Sequence, residues 1–365
     1  MPQKLKQKIQ FFFIKYKPLL IFGVLILVGI ISINWLLPMV SIINKEKITI
    51  PIIKNILFNT EPPLSKFENR TNVLLLGIGG GNHEGSDLTD TMLVISLNWQ
   101  KKEAVMISIP RDLWMESLKD RINTSYHYGE EKKKGGGILL SKAMVEEVIG
   151  QPVHYSFIID FSGFQKWVDL VGGIDIYIEK AFTDNNYPIP GKENDLCSGD
   201  LTYSCRYEKL IFNQGVEHMS GDRALKYVRS RHAEGDEGTD FARSKRQQQV
   251  ILAVKQKLFS TSFIWNNFGR WKEFMKAYDD TTDSDMKIGE QLVFIKSFLE
   301  INNKLIRKVV LDYGDVVKGI KGFLINPPVE EYKGNWVLIP RTGNFDEIHK
   351  YINCQLSDSS CSIKP

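Results

Sequence analysis

Histidine and cysteine are both scarce in this sequence, with six histidines and four cysteines among 365 residues. His127 and His154 have no partner at a spacing typical of metal ligands, so both are interpreted as structural or surface residues. The sequence also lacks a helix-turn-helix, a zinc finger and an RNA-binding signature, and its formal net charge is only +4. These absences argue against a nucleic-acid partner.

The cysteines fall into two local pairs, Cys197 with Cys205 and Cys354 with Cys361. A zinc site made from all four thiolates would need closer pairs, such as two CxxC units. We therefore predict two local disulfides formed in an oxidising compartment, although four cysteines allow three pairings.

A long apolar run occurs only once, near the N-terminus. From Pro18 to Asn44 no side chain is charged, and roughly 20 helical residues suffice to cross a bilayer. Lysines precede the run, and positive residues stay on the cytoplasmic side of a membrane. A cleaved signal peptide is the alternative, but the run is long for one and lacks a small-x-small cleavage site.

These features predict a single-pass protein of the plasma membrane with a cytoplasmic N-terminus. Within the large external part, short apolar strand patterns alternate with helical patterns, a rhythm typical of an α/β fold. The predicted segments are a basic cytoplasmic tail (1–17), a transmembrane helix (18–43), a juxtamembrane linker (44–70), an extracytoplasmic domain (71–352) and a C-terminal tail (353–365).

The segment from Arg223 to Leu258 carries the most informative pattern, and its second half predicts a helix beginning near Thr239. Arg246 lies roughly 90° off the inward face of that helix, so we expect a structural role for it. At 100° per residue, one inward stripe joins charged and apolar side chains: Asp240, Arg243, Gln247, Val250, Ile251, Val254 and Leu258.

Two further arginines precede that helix. Arg229 and Arg231 flank Ser230, and in an extended segment residues two apart face the same way. Buried unpaired cations are costly, so an anionic partner must meet these guanidiniums. That partner is either a set of carboxylates such as Asp240 or a ligand rich in phosphate oxygens, and the pattern alone leaves both open.

A polar loop follows the first predicted strand, NVLLLGI. It begins with Gly79 to Gly81, and no Gly-Lys-Ser/Thr follows, which excludes a Walker loop. Asp87 and Asp90 lie three residues apart in this loop. They are interpreted either as ligands of a hard cation or as turn and cap residues.

Seven motifs follow one another between residues 72 and 258: NVLLLGI, DTMLVISL, ISIPRDLW, RINTSYHYG, VDLVGGIDI, MSGDRALKYVRSRH and DFARSKRQQQVI. In this order they resemble the LytR-CpsA-Psr family of bacterial envelope proteins. The resemblance is strong over these core motifs and weaker from there to Ile352. A single N-terminal anchor before an external catalytic domain also fits that family.

The resemblance implies a phosphotransferase that moves an anionic glycopolymer from a polyprenyl-pyrophosphate carrier to peptidoglycan. It also implies a single domain with a central, mostly mixed β-sheet, flanked by helices that enclose a pocket for the prenyl chain. The implied catalytic residues are Arg111, Arg229, Arg231, Asp240, Arg243 and Gln247, and the implied lipid-pocket lining is Val250, Ile251 and Val254.

The same resemblance implies Mg²⁺, with Mn²⁺ as the alternative, held by two aspartates. The second aspartate is Asp90, but the first position falls within Gly79 to Gly81. Asp87, or else Glu84, would substitute for it. This departure favours one alternative function, a non-catalytic scaffold or sensor that binds polyprenyl phosphates. A second alternative is a pyrophosphatase that uses water as the acceptor.

Overall fold

The computed structural model describes residues 54–55, 63–81, 85–259, 270–315, 320–357 and 361–363. The predicted cytoplasmic tail and transmembrane helix lie outside the described residues, so both stay predictions. Within the ranges just given, no helix is at once long enough and apolar enough to cross a membrane.

Contacts between residues divide the chain into two units. One contains residues 1–63 and 287–293, and the other contains residues 64–286 and 294–365. Every side chain discussed below belongs to the second unit. The predicted segment boundaries stay predictions.

The helices are α1 (Ser125–Lys132), α2 (Gly136–Ile149), α3 (Phe161–Leu170), α4 (Gly221–Arg229), α5 (Asp240–Leu258), α6 (Trp271–Thr281), α7 (Ile288–Glu300) and α8 (Asp346–Ser357). Short 3₁₀-helices lie at Ile122–Thr124, Cys197–Gly199, Ser204–Arg206, Gly235–Gly238, Asn303–Leu305 and Val329–Tyr332.

The strands are β1 (Arg70–Ile78), β2 (Thr89–Asn98), β3 (Glu103–Ser108), β4 (Trp114–Met115), β5 (Asp120–Arg121), β6 (Tyr155–Asp160), β7 (Ile174–Ile178), β8 (Phe182–Pro188), β9 (Tyr207–Phe212), β10 (Gly215–Met219), β11 (Thr282–Ser284), β12 (Ile306–Val310), β13 (Gly314–Asp315), β14 (Ile320–Lys321), β15 (Leu324–Ile325) and β16 (Ile339–Pro340).

A mixed sheet of six strands forms the centre of the second unit, in the order β11-β6-β1-β2-β3-β12. Strand β1 runs parallel to β6 and antiparallel to β2, and β12 runs parallel to β3. Strand β2 is buried at every position from Met92 to Asn98, the pattern of a strand that is covered on both faces. The predicted α/β class with a central mixed sheet and flanking helices is confirmed.

Two hydrophobic clusters stabilise this arrangement. The first packs sheet residues such as Leu74 against α2 and α8, and the second joins α3 and α4 to the strands from β7 to β10. Helix α5 contributes Phe241 to the first cluster and Val250 to the second. Because α5 lies where the two clusters meet, burial of apolar side chains on both sides fixes its position.

Both predicted disulfides are present. Cys197–Cys205 closes the loop between β8 and β9, and Cys354–Cys361 joins α8 to residues beyond its C-terminal end. Of the three possible connectivities, the structure therefore has the one in which both disulfides are local.

His154 precedes β6 and is bound to the backbone of β1. Its Nδ1 accepts a hydrogen bond from the backbone N–H of Asn72 at 3.0 Å, and its own backbone N–H donates to the Asn72 carbonyl at 3.0 Å. Burial lowers the pKa of His154. The folded protein therefore favours the neutral imidazole, whose unprotonated Nδ1 is the acceptor in this contact.

This burial predicts a pH-dependent stability. The unfolded chain binds the His154 proton more readily, near the ordinary histidine pKa of about 6.5, so stability at this site rises with pH. We expect the free energy of unfolding to fall between about pH 7.5 and about pH 5.5, and to fall less in His154→Gln. Urea titrations followed by tryptophan fluorescence measure both changes, and an equal fall in the two proteins would contradict the role of His154.

Candidate active site

Helix α5 is the frame of the candidate site. Thr239 caps it, because its Oγ1 accepts a hydrogen bond from the backbone N–H of Ala242 at 3.1 Å, which confirms the predicted start of this helix. Further along, Gln248 Nε2 donates to Ser108 Oγ at 2.8 Å and to the Val309 carbonyl at 3.0 Å. These bonds attach α5 to the carboxyl ends of β3 and β12.

Arg111 follows β3 and is surrounded by carboxylates. Its Nη1 pairs with Asp90 Oδ1, and its Nε lies 3.3 Å from Asp112 Oδ2. Asp112 is buried and also meets Arg121 Nη1 at 3.2 Å. Burial opposes the positive charge of Arg111, but the neighbouring carboxylates, chiefly Asp90 and Asp112, outweigh it and raise the pKa of Arg111.

Arg243 lies in the first turns of α5 and is only 7% exposed. Its Nη2 lies 3.0 Å from Asp240 Oδ1. Burial lowers the pKa of Arg243 and the charge of Asp240 opposes that shift. The positive charges of Arg111 and Arg231 lower the pKa further. Arg111 and Arg231 therefore lie close enough to act on the charge of Arg243, and Asp240 compensates the buried Arg243 only in part.

Buried polar atoms without a hydrogen-bond partner mark the same region. Arg243 Nε and Asp240 Oδ1 are two of them. Asp240 Oδ1 lies 3.0 Å from Arg243 Nη2, but this contact does not have hydrogen-bond geometry. Arg121 Nε and Asn123 Oδ1 are two more. Each such group costs about 1–3 kcal/mol when it is left unsatisfied. A ligand with oxygen acceptors and a bound cation or hydroxyl would satisfy both kinds of atom.

The two arginines of the VRSR segment do not share one extended strand, which corrects the sequence-based interpretation. Arg229 is the last residue of α4, and its guanidinium lies 4.4 Å from the ring centre of Phe161. Arg231 lies beyond the end of the helix and is exposed. The prediction failed because α4 extends through Arg229. The helix ends there because Ser230 has a non-helical backbone conformation.

Asp184 fixes the turn that carries Arg231. This carboxylate is completely buried, and its Oδ2 accepts hydrogen bonds from Ser230 Oγ at 2.7 Å and from the backbone N–H groups of Arg231 and His232 at 3.1 and 3.2 Å. Sequence reasoning missed Asp184, because it lies outside the seven motifs. Asp112 and Arg121, by contrast, lie within two of the motifs.

The remaining predicted residues of α5 do not share one inward-facing surface, because their surroundings differ. Gln247 Nε2 donates to Thr91 Oγ1 at 2.8 Å, next to Asp90 in the chain. Val250 is buried in the second cluster and Val254 packs against it, whereas Ile251 is partly buried. The helix is enclosed on several sides, so its buried positions also include Phe241, Ser244, Arg246, Gln248, Ala253 and Lys255.

Arg246 is as buried as Arg243 but its surroundings differ. Its Nη1 donates to the Glu237 carbonyl at 3.0 Å, and its Nη2 donates to the Ser230 carbonyl. Its guanidinium also lies 4.6 Å from the ring centre of Phe182. Its Nε, like that of Arg243, has no hydrogen-bond partner. The other contacts of Arg246 are internal to the fold and agree with the structural role expected for this arginine.

The loop before β2 contains Gly80, one of the three glycines in which the family resemblance places an aspartate. Gly80 has a φ of +70°, and a Cβ added there would lie 2.8 Å from the Cβ of Asp160. An aspartate in place of Gly80 would therefore be strained and crowded. Asp87 pairs with His127 Nδ1 at 2.7 Å, and this hydrogen bond raises the pKa of His127. Glu84 lies outside the described residues.

Comparison with known proteins identifies the family. The profile of the LytR_cpsA_psr family matches residues 43–335. The chain belongs to the LytR_cpsA_psr family. This confirms the resemblance carried by the seven motifs, and the match covers the central sheet, the second cluster and every candidate site residue.

Individual relatives within the LytR_cpsA_psr family share only about a quarter to a third of their aligned residues with this chain. The polyisoprenyl-teichoic acid–peptidoglycan teichoic acid transferase TagU of Oceanobacillus iheyensis is 26% identical over 268 residues, which are 72% of this chain and 73% of that protein. TagU of Bacillus cereus (strain ATCC 14579) is 33% identical over 202 residues, 54% of this chain and 55% of that protein. In the second comparison the chain spans about half of its relative.

A solved LytR_cpsA_psr structure supports the fold. The protein YwtF (TagT), with bound octaprenyl pyrophosphate lipid, matches 80% of this chain and 94% of its own chain, with a TM-score of 0.51 and 19% sequence identity. At that identity the likeness concerns the arrangement of the backbone alone.

The contrast between Arg243 and Arg246 gives a direct test of the site. We expect Arg243→Met to change the free energy of unfolding by less than about 1 kcal/mol, because Arg111 still compensates Asp240 and a repelled cation is removed. We expect Arg246→Met to lower it by about 3 kcal/mol, because buried partners lose their cation.

Binding separates the same two variants. Arg243→Met should weaken the affinity for inorganic pyrophosphate by about tenfold. Folded Arg246→Met should lose less of the wild-type affinity than Arg243→Met does. Chemical denaturation and isothermal titration calorimetry measure the two quantities. A large stability loss in Arg243→Met with unchanged pyrophosphate affinity would show that Arg243 is a structural cation.

Proposed function

We propose that this protein transfers an anionic glycopolymer from a polyprenyl-pyrophosphate carrier to peptidoglycan during cell-envelope assembly. The observation that carries the proposal is the pair of arginines Arg111 and Arg243, held by Asp90 and Asp240 beside buried polar atoms that lack partners. Guanidiniums bind phosphate oxygens bidentately and in a fixed geometry. The names of the TagU relatives, which describe teichoic acid transfer to peptidoglycan, support the same reaction.

The reaction exchanges one bond of the pyrophosphate. An acceptor hydroxyl of peptidoglycan forms a bond to the phosphorus that bears the glycopolymer, and the bond from this phosphorus to the bridging oxygen breaks. Polyprenyl phosphate leaves with that oxygen. The hydroxyl proton passes to a carboxylate of the cluster, Asp90 or Asp240.

The arginines act by neutralising charge. Several negative charges on the pyrophosphate repel an incoming hydroxyl oxygen, and fixed guanidiniums at the developing charge remove that barrier. Comparable arginine contributions in other phosphoryl-transfer enzymes reach roughly 10³ to 10⁵ in rate. Arg111 and Arg243 are held before the substrate binds, so they need little reorganisation during the reaction. Arg229, placed over Phe161, is the fourth predicted contributor.

The donor set of the site fits a hard divalent cation. Mg²⁺ in proteins is usually held by one or two carboxylates together with substrate phosphate oxygens, and Mn²⁺ accepts the same ligands. Asp90, whose side chain is 32% exposed beside Arg111, is the proposed first ligand and Asp87 the second. Such a cation would supply further neutralisation of the phosphate charge.

The predicted anchor and the course of α5 suit a lipid substrate. A transmembrane helix over residues 18–43 would confine the domain to the outer face of the plasma membrane, which raises the effective concentration of a membrane-bound carrier. Helix α5 leads from charged residues at its start to Val250, Ile251 and Val254, the proposed lining for the prenyl chain.

A second function is favoured by the loop before β2. Glycines replace the first metal-binding aspartate, and Asp87 is already paired with His127. A non-catalytic scaffold or sensor that binds polyprenyl phosphates would need the arginines but no metal. Turnover therefore distinguishes the two functions.

The test is the release of polyprenyl phosphate from a sugar-bearing polyprenyl pyrophosphate by the full-length protein with Mg²⁺ and peptidoglycan. We expect Arg111→Ala to lower the rate by roughly 10²-fold or more, and Asp90→Asn and EDTA to lower it as well, because charge neutralisation is lost. Asp175→Asn, a change at an exposed aspartate of β7, is the control.

Each other outcome identifies a different function. Binding of the lipid without release of polyprenyl phosphate would indicate the scaffold. Release without a covalent peptidoglycan product would indicate a pyrophosphatase. Full activity in Arg111→Ala would refute the proposed mechanism.

A further inference from the structure

Helices α1 and α2 form a hairpin, and its tip (residues 131–139) carries three consecutive lysines, Lys132 to Lys134. All three lysines are exposed, and none forms an ion pair with another residue of the part of the chain that the structure describes. Together with the exposed Glu131, they give the tip a net charge of +2. Such a concentration of one charge favours contact with an anionic surface.

The nearest other carboxylate, that of Glu130, is bound by the backbone of α2. Its Oε2 accepts a hydrogen bond from the backbone N–H of Gly135 at 3.1 Å, and its Oε1 accepts one from Gly137 at 2.9 Å. A carboxylate at the start of a helix satisfies backbone N–H groups that have no partner within the helix. Glu130 therefore shapes the tip and leaves the lysines available to a partner.

The tip is held in one conformation by contacts between the two helices. A Cβ added at Gly129 would lie 2.4 Å from the carbonyl oxygen of Gly136, so only glycine allows this close approach. Ser125 Oγ and Ser141 Oγ are hydrogen-bonded at 3.0 Å. None of these contacts uses a lysine side chain. A preordered surface also loses little conformational entropy when it binds a partner.

Exposed apolar side chains lie beside the lysines. Leu139, near the start of α2, is 65% exposed. Tyr128 is also exposed and lies four residues before Lys132, on the same face of α1. Lysine, tyrosine and leucine side chains together are typical of a surface that meets the headgroup region of a bilayer. A soluble polyanion would have no use for the exposed leucine.

Helix α1 connects the tip to the candidate active site. Asn123, just before this helix, donates its backbone N–H to the Arg111 carbonyl at 3.2 Å, and its own carbonyl accepts from Thr89 Oγ1 at 3.2 Å. Because an α-helix rises 1.5 Å per residue, Lys132 lies about 10 Å along the axis from Ser125. A contact between the tip and lipid headgroups would therefore keep the arginines close to the layer where the pyrophosphate of a membrane lipid lies.

We propose that the hairpin tip docks on a lipid surface rich in anionic headgroups of the phosphatidylglycerol type. The lysines contact headgroup phosphates, and Leu139 enters the boundary between headgroups and acyl chains. The inference rests on the proposed function, which places the domain beside the outer leaflet. Docking adds a membrane contact on the folded domain itself, and this contact orients the active site toward its lipid substrate.

The experiment places the full-length protein in nanodiscs of phosphatidylcholine alone, or of phosphatidylcholine and phosphatidylglycerol in equal parts. An environment-sensitive fluorophore is attached at Glu131→Cys, since the four native cysteines are in disulfides. Lipid that is spin-labelled at its headgroup quenches this fluorophore only when the tip lies against the membrane. The quenched fraction therefore gives the ratio of docked to undocked protein.

Two triple variants remove the same charge from different surfaces. The tip variant replaces Lys132 to Lys134 by serine. The matched control replaces three exposed lysines that lie apart from one another, Lys209, Lys304 and Lys350, by serine. Leu139→Ser tests the apolar contact separately.

In anionic nanodiscs, we expect the tip variant to lower the ratio of docked to undocked protein at least about tenfold, because each lysine near an anionic surface adds to the attraction. Leu139→Ser should lower the ratio about threefold, and the control should stay within about twofold of the wild type. Added salt should lower the wild-type ratio, because it screens the attraction. In phosphatidylcholine alone, the wild type should dock at least about tenfold less.

Equal ratios in the tip variant and the control would overturn the docking surface. Equal wild-type ratios in the two kinds of nanodisc would overturn it as well. Binding of soluble polyphosphate to the labelled tip, without docking in anionic nanodiscs, would assign the lysines to a soluble polyanion and overturn the lipid partner.

Turnover in detergent micelles separates docking from chemistry. There the tip variant should release polyprenyl phosphate at the wild-type rate, because a micelle delivers the substrate without an anionic bilayer. A slower rate in micelles would show that the lysines act on the reaction itself, and would overturn a docking role. Docking by a wild-type protein that releases no polyprenyl phosphate would overturn the proposed function alone.

Discussion

A buried arginine that its own chain neutralises only in part is the constraint on which this structure depends. Arg243 is held in the interior by a helix packed into both clusters, and its nearest carboxylate, Asp240, contacts it without forming a hydrogen bond. Two further guanidiniums add to its unfavourable electrostatics. A fold optimised for stability alone would replace such a group, so an anionic ligand is the simplest reason for its presence.

Different elements of the fold position the side chains around Arg243. The central sheet presents Asp90 and Arg111 at the ends of neighbouring strands, and Gln248 fastens α5 across them. The second cluster supports the turn of Arg231 through the buried carboxylate of Asp184. The same carboxylate also accepts a hydrogen bond from the backbone N–H of Asn186, so one buried charge joins the turn of Arg231 to β8.

Much of this could be predicted from the sequence, because it depends on local patterns. The start of α5 follows from a threonine cap before a helical repeat, and the disulfides follow from two pairs of cysteines too widely spaced for zinc. The prediction that Arg229 lies in an extended segment was wrong, since the single residue Ser230 decides where α4 ends. Asp184 and the crowding of Gly80 by Asp160 could not be predicted, because each depends on contacts between residues far apart in the chain. The predicted inward stripe of α5 omitted several buried positions of that helix for the same reason.

The central claim is that the partly compensated cations exist to hold a pyrophosphate. A structure of the full-length protein with a polyprenyl-pyrophosphate lipid tests it most directly. The account predicts phosphate oxygens within hydrogen-bond distance of Arg111 and of Arg243 Nε, with the prenyl chain running toward Val250. Phosphates bound elsewhere, with Arg243 Nε still without a partner, would contradict it.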